Sequence, residues 1–146
     1  MKTLRFALLL AFVGGLALAT RAAERASLQG ILIAASPEPG QTDRRLAQYE
    51  PTLRRILRFE SFKFKGDDRA SIDVPGSATL LISDGHELVI TTESADGKSL
   101  HLKVRWTNGD RTLMNTGLVL RPGVPAVLGG PPTDKGEVYA VILIGR

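Results

Sequence analysis

The two histidines are the side chains of this 146-residue chain best suited to acid–base or metal chemistry. His86 follows the turn-forming pair Asp84-Gly85 and precedes Glu87, and His101 lies on the polar side of an alternating segment. Imidazole and carboxylate groups can hold zinc, but a site needs three or four donors that converge, and this spacing brings no such set together. We therefore expect two solvated imidazoles, no metal site and no catalytic residue.

The common catalytic and cofactor motifs are missing from the sequence. It has no cysteine, which excludes disulfides, thiolate metal sites and a cysteine nucleophile. It also lacks a phosphate-binding glycine loop, a His-Glu-x-x-His pair, a Gly-x-Ser-x-Gly elbow and a dinucleotide fingerprint. We therefore expect no cofactor, and a non-catalytic role is favoured over an enzymatic one.

Positive charge is concentrated between residues 42 and 65, where seven basic residues face only three acidic ones. An arginine-rich outer face is ordinary for a helix whose apolar stripe is buried. The same face is also suited to docking an anionic lipid, a polysaccharide or an acidic protein. The residues predicted to bind a partner in this way are Arg44, Arg45, Arg54, Arg55 and Arg58.

The N-terminal residues have the layout of a secretory signal peptide. Lys2 and Arg5 precede an apolar run over 6–18, and Ala17-Leu18-Ala19 offers a small-residue cleavage site. The run is short for a membrane span, and retention as an anchor is the alternative. We expect a signal peptide over 1–19, a single β-rich domain over 20–146, and an exported protein that is periplasmic or extracellular.

The charge and hydropathy of the remaining chain restrict its partners. Without Lys2 and Arg5, 17 basic residues oppose 15 acidic ones, and this excess is too small to favour a nucleic-acid partner. No later apolar stretch is long enough to cross a membrane, so we expect no transmembrane segment after signal cleavage. An envelope protein or another anionic surface is the partner that these features favour.

Turn residues recur at regular intervals after residue 65 and predict an antiparallel meander. Asp84-Gly85, Asp96-Gly97 and Asn108-Gly109 each tolerate the positive φ angles of tight hairpins. Between the last two, apolar residues at 100, 102, 104 and 106 share one face, with polar residues opposite. The alternation slips over 111–120, which predicts a β-bulge near 115–117.

Two segments, 31–35 and 138–144, are apolar at almost every position, as in strands that are covered on both faces. A helical segment over 43–57 is the element available to cover the second face, with Pro51 either breaking it or starting a second short helix. Its apolar stripe is predicted to contain Leu46, Tyr49, Leu53, Ile56 and Leu57. We therefore expect the first and last strands near the sheet centre with this helix across them.

These patterns predict an α+β, strand-dominated fold: a mostly antiparallel β-sandwich or partly open barrel with one helical segment after the first strand. The function they favour is that of an exported, non-catalytic envelope or periplasmic module that binds another macromolecule. One alternative is a small-ligand or lipid binder that uses a barrel interior, which requires a cavity. The other is a hydrolase with an unrecognised site, which requires His86 or His101 to meet a carboxylate or serine in a cleft.

Overall fold

A computed structural model describes residues 24–133 and 135–145, which form eight β-strands and a short helical segment. The expected signal peptide over 1–19 lies outside the described residues. Between the first two strands lie a 3₁₀ turn (Arg44–Leu46) and helix α1 (Glu50–Leu57). The strands are β1 (Glu24–Ser36), β2 (Ser61–Val74), β3 (Gly76–Ser83), β4 (His86–Asp96), β5 (Ser99–Asn108), β6 (Arg111–Leu120), β7 (Ala126–Pro132) and β8 (Val138–Gly145).

The strands form two four-stranded antiparallel sheets, in the orders β2-β1-β8-β7 and β3-β4-β5-β6. The strand-dominated α+β fold with one helical segment after the first strand is confirmed. The two sheets do not close into a barrel, so of the two architectures predicted from the sequence the sandwich is the one formed. One core lies between the sheets and includes Leu32, Leu88, Trp106 and Val141, all fully buried.

β1 and β8 lie side by side at the centre of the first sheet, as their continuous apolar runs predicted. They pair antiparallel from Leu28↔Gly145 to Ala35↔Val138. A second core covers their other face, where the helical segment packs Leu46 and Leu53 against the sheet. The molecule therefore has three layers, and the two central strands are buried on both sides because each side faces a different core.

The helical segment is divided into two pieces rather than running from 43 to 57. The Asp43 carboxylate caps the 3₁₀ turn by accepting the backbone N–H of Arg45 at 3.0 Å. Pro51 occupies the first turn of α1, where its missing N–H costs no hydrogen bond. Of the two outcomes predicted for Pro51, the start of a second short helix is therefore the one observed. The prediction that Ile56 belongs to the buried stripe is wrong, because its side chain is 49% exposed.

The predicted hairpins are present, with positive φ angles at Gly85, Gly97 and Gly109. The alternation in β5 is also confirmed, since Leu102, Val104 and Trp106 are buried. The register of β6 slips, but the irregularity lies where Trp106 pairs Met114 and Thr107 pairs Thr112, not near 115–117. The extra residue there is Leu113, and the bulge allows both Leu113 and Met114 to pack against the core.

The two sheets meet along one side of the sandwich, where β2 approaches β3. The Asp68 carboxylate accepts the backbone N–H of Leu81 at 3.0 Å. Gly66 lies so close to the backbone of Ile82 that any Cβ there would collide with its carbonyl oxygen. Asp67 and Asp68 lie within β2, where they pair with Ile31 and Gly30 of β1.

Candidate functional site

The five arginines predicted to bind a partner all lie on the helical layer, and all five are exposed. Arg45 is engaged locally. Its guanidinium donates to the Asp43 carboxylate at 3.1 and 2.8 Å and lies 4.0 Å from the centre of the Phe64 ring. Hydrogen bonds from the side chain and backbone of Arg45 lower the pKa of Asp43 to about 2. Arg45 is thus part of a local capping structure.

Arg54 is also neutralised by carboxylates of its own layer. It donates to Glu50 at 3.0 and 2.8 Å and to Glu60 at 3.3 Å. Hydrogen bonds from Arg54 and then from Thr42 lower the pKa of Glu50, while Glu50 raises the pKa of Arg54. These contacts tie the start of α1 to its last turn and to the connection that leads into β2.

Arg44, Arg55 and Arg58 differ from these two residues, because none of them forms an ion pair with any residue the structure describes. The three acidic residues of the segment are all occupied by Arg45 and Arg54. Arg58 ends α1 in the left-handed conformation at φ 56°. The helical layer therefore presents three exposed guanidinium groups whose charge the described part of the chain does not balance.

His86 is buried, with 2% of its surface exposed, which contradicts its prediction as a solvated imidazole. Trp106 Nε1 donates to His86 Nδ1 at 2.9 Å, and the Tyr139 ring lies 4.7 Å away between centroids. Because Nδ1 accepts, the neutral ring carries its proton on Nε2, which lies 3.3 Å from Asn108 Nδ2. Asn108 can accept this proton only with its amide turned so that the oxygen takes the place of Nδ2.

The surroundings of His86 suit structure better than catalysis. Burial lowers its pKa, and the charge of Asp84 only partly opposes this effect. Its ring nitrogens meet an indole and an amide, and neither is a nucleophile or a carboxylate. The Trp106 ring in turn lies on Gly130 of β7, where a Cβ would stand 2.5 Å from Cζ3 and closer still to Cη2. The cluster fastens one sheet to the other.

The structure separates His101 from His86. His101 pairs with Val119 across β5 and β6 on the outer face of the second sheet, whereas His86 lies among the core residues. Among residues 24–133 and 135–145, no three histidine or acidic side chains are close enough to hold a metal ion. Asp84, Glu87 and the two histidines are therefore not brought together.

A cleft at one end of the sandwich is the feature that could serve the alternative function of binding a small ligand. It has a volume of about 390 Å³ and opens between the start of β1 and the β4–β5 and β6–β7 connections. Val74, Leu100 and Leu120 line it with apolar surface, and Lys98 and Arg121 lie at its rim. It is an open cleft beside a filled core rather than the barrel interior that the alternative required.

Within the described residues, no helix has the length and hydropathy needed to span a membrane. No family model, curated protein or solved structure matches the chain.

Sequence reasoning found the arginine cluster but not its division into paired and unpaired members. The sequence does indicate the Arg54–Glu50 pair, because residues four apart on a helix are neighbours. It also indicates that His86 is buried, because His86, Leu88 and Ile90 alternate on one face of β4. Nothing in the sequence indicates the end cleft, because the cleft depends on how three separate connections pack.

Proposed function

We propose that this protein is an exported, non-catalytic module that binds an anionic surface of the cell envelope through its helical layer. The observation that carries the proposal is the unbalanced charge of Arg44, Arg55 and Arg58 on one exposed layer. The start of the chain supports export, since residues 1–19 have the order of charged, apolar and small residues that a signal peptide has.

Charge is distributed unevenly over the molecule, and this favours an oriented encounter. Residues 42–65 contain seven basic and three acidic residues, whereas the other described residues contain eight basic and eleven acidic ones. An anionic surface therefore attracts the helical layer and repels the remainder. Guanidinium groups also form bidentate hydrogen bonds with phosphate and carboxylate, which are the anions of such a surface.

The layer is anchored to the first sheet, which favours binding without a large rearrangement. Leu46 and Leu53 are fully buried beneath it, and Arg45 and Arg54 form ion pairs on its surface. Arg44, Arg55 and Arg58, which pair with no described residue, therefore project from a preformed platform, and binding has to order only their side chains.

The test is sedimentation with vesicles that contain phosphatidylglycerol, compared with vesicles of phosphatidylcholine alone. We expect the protein to sediment with the anionic vesicles only and to be released as salt is raised. Arg44→Glu with Arg55→Glu should abolish the binding. Arg54 is left unchanged because its replacement would crowd carboxylates around Glu50 and Glu60.

The matched control reverses two other exposed basic residues, Lys98→Glu with Arg105→Glu, and so makes the same change in net charge away from the helical layer. It should retain most of the binding. Equal loss in both double variants would show that only net charge matters, and binding that resists salt would contradict the proposal. Capture of an acidic envelope protein without vesicle binding would move the site to a protein partner.

A further inference from the structure

We propose that the outer edge of β6 is a dimer interface, at which two copies of this chain join their second sheets into one continuous sheet. β6 ends the order β3-β4-β5-β6 and, among the described residues, is hydrogen-bonded to β5 alone. An edge strand presents a row of free N–H and C=O groups, which can pair with another strand. The partner inferred here is the β6 of a second copy.

The other sheet edges are protected. β2 and β3 lie against each other, with Asp68 accepting the Leu81 N–H and Gly66 packed on Ile82. β7 ends in Pro131-Pro132, and prolines carry no N–H that could donate to an added strand. β6 contains no proline, and its only charged residue is Arg111 at its start, so Thr112–Leu120 has neither prolines nor charges that would oppose an added strand.

The sequence of β6 suits pairing with itself. A two-fold axis through Gly117 places Thr116 opposite Leu118 and Met114 opposite Leu120 on the core-facing side. The same axis places Asn115 opposite Val119 on the outer side. No like charges oppose each other, so the strand is self-complementary in the manner that an isologous interface requires.

Exposed apolar surface lies along the same edge. Val119 is 53% exposed, and Leu113, Met114 and Leu118 are only partly buried at the margin of the core. A second β6 would cover these side chains as well as the backbone groups. Burial of these apolar side chains and pairing of the free backbone groups both favour a second strand over water at this edge.

The dimer has a geometric consequence for binding. Neighbouring antiparallel strands are related by a two-fold axis perpendicular to their sheet, so both copies turn the same face to the same side. The two helical layers then lie on one side of the assembly. This last step rests on the proposed function: two arginine platforms on one side would bind a flat anionic surface with the advantage of bivalency.

The test is sedimentation equilibrium of the protein purified from expression of the full chain, over a range of micromolar concentrations. We expect a concentration-dependent dimer, and Val119→Lys should raise its dissociation constant by at least about tenfold. Val124→Lys is the matched control, because Val124 is 56% exposed and lies outside the strands. It should dimerise as the wild type does.

Hydrogen exchange of the β6 amides gives an independent readout, since the outward amides should be protected in the dimer and exposed in Val119→Lys. A protein that stays monomeric at every concentration overturns the proposal. So does a dimer that survives Val119→Lys, or one that Val124→Lys dissolves. Vesicle binding by a monomer would leave the arginine surface standing and remove the dimer alone.

Discussion

Replacing Gly130 by alanine should destabilise the protein strongly, because Gly130 is the residue of β7 against which the Trp106 ring packs. A Cβ at residue 130 would stand 2.5 Å from Trp106 Cζ3, closer to Cη2, and 3.0 Å from the Tyr139 carbonyl oxygen. Carbon atoms in contact prefer about 3.5 to 4.0 Å, so either the ring or the strand must move.

Moving the Trp106 ring would cost free energy of folding. Trp106 is fully buried, and its indole N–H is held by His86 at 2.9 Å. A shift of the ring would lengthen that bond and open space elsewhere in a filled core. Overpacking of this kind costs about 1–3 kcal/mol, and the anchored ring favours the upper end. Alanine also makes the unfolded chain less flexible than glycine does, and this stabilises the folded state by less than about 1 kcal/mol.

Urea denaturation followed by circular dichroism measures the free energy of unfolding for each variant. Gly129→Ala is the matched control, because a Cβ there would lie at an ordinary 3.8 Å from Leu57. It should cost much less than Gly130→Ala. In a Trp106→Phe background the smaller ring should leave room for the methyl group, so the cost of Gly130→Ala should fall.

A Gly130→Ala variant as stable as Gly129→Ala would contradict this prediction. So would an equal destabilisation by Gly130→Ala with tryptophan and with phenylalanine at residue 106. In either case the contact between the ring and β7 would not limit how closely the two sheets pack.

Three further predictions follow from the pKa shifts and from burial. Because burial lowers the pKa of His86, the unfolded chain binds its proton more readily, and the free energy of unfolding should decrease as pH falls below about 6.5. This decrease should shrink in His86→Asn, and urea titrations across that pH range would test it. A carboxyl titration by NMR should give Asp43 a pKa of about 2, and Arg45→Gln should raise it towards the ordinary value, whereas no change would contradict the local pair. Val141→Asp should cost several kcal/mol because Val141 is fully buried in the core, while His101→Ala on the outer face should stay within about 0.5 kcal/mol; thermal unfolding would compare them, and a large loss at His101 would mean that its position is misassigned.

Periodicity in the sequence predicted the strand-dominated fold but left the choice between sandwich and barrel open. The two continuous apolar runs located β1 and β8 at the sheet centre, and the glycine turns located the hairpins of the second sheet. These features are local, so a single sequence records them. The bulge at Leu113 was displaced from its prediction because two adjacent apolar residues both reach the core.

The details of the site depend on contacts between distant segments, which the sequence does not record. The sequence places Glu60 in the same segment as Arg54 but does not show that Glu60, beyond the end of α1, pairs with it. The prediction of a solvated His86 gave weight to the neighbouring turn and too little to the alternation through Leu88. The contact between the Asp68 carboxylate and the Leu81 N–H likewise joins two strands, and nothing in the local sequence indicates it.

The adjacency of β1 and β8 also governs the order in which the chain can fold. The central pair of the first sheet joins Leu28 to Gly145, so it connects the beginning of the described chain to its end. Contacts between such distant residues form slowly, because a long loop must close before they stabilise anything. Until β8 has been synthesised, β1 lacks one of its two strand neighbours and one side of each core is incomplete. The first sheet and both cores therefore reach their native packing only after β8 has docked beside β1, whereas the meander β3-β4-β5-β6 pairs through neighbouring segments alone.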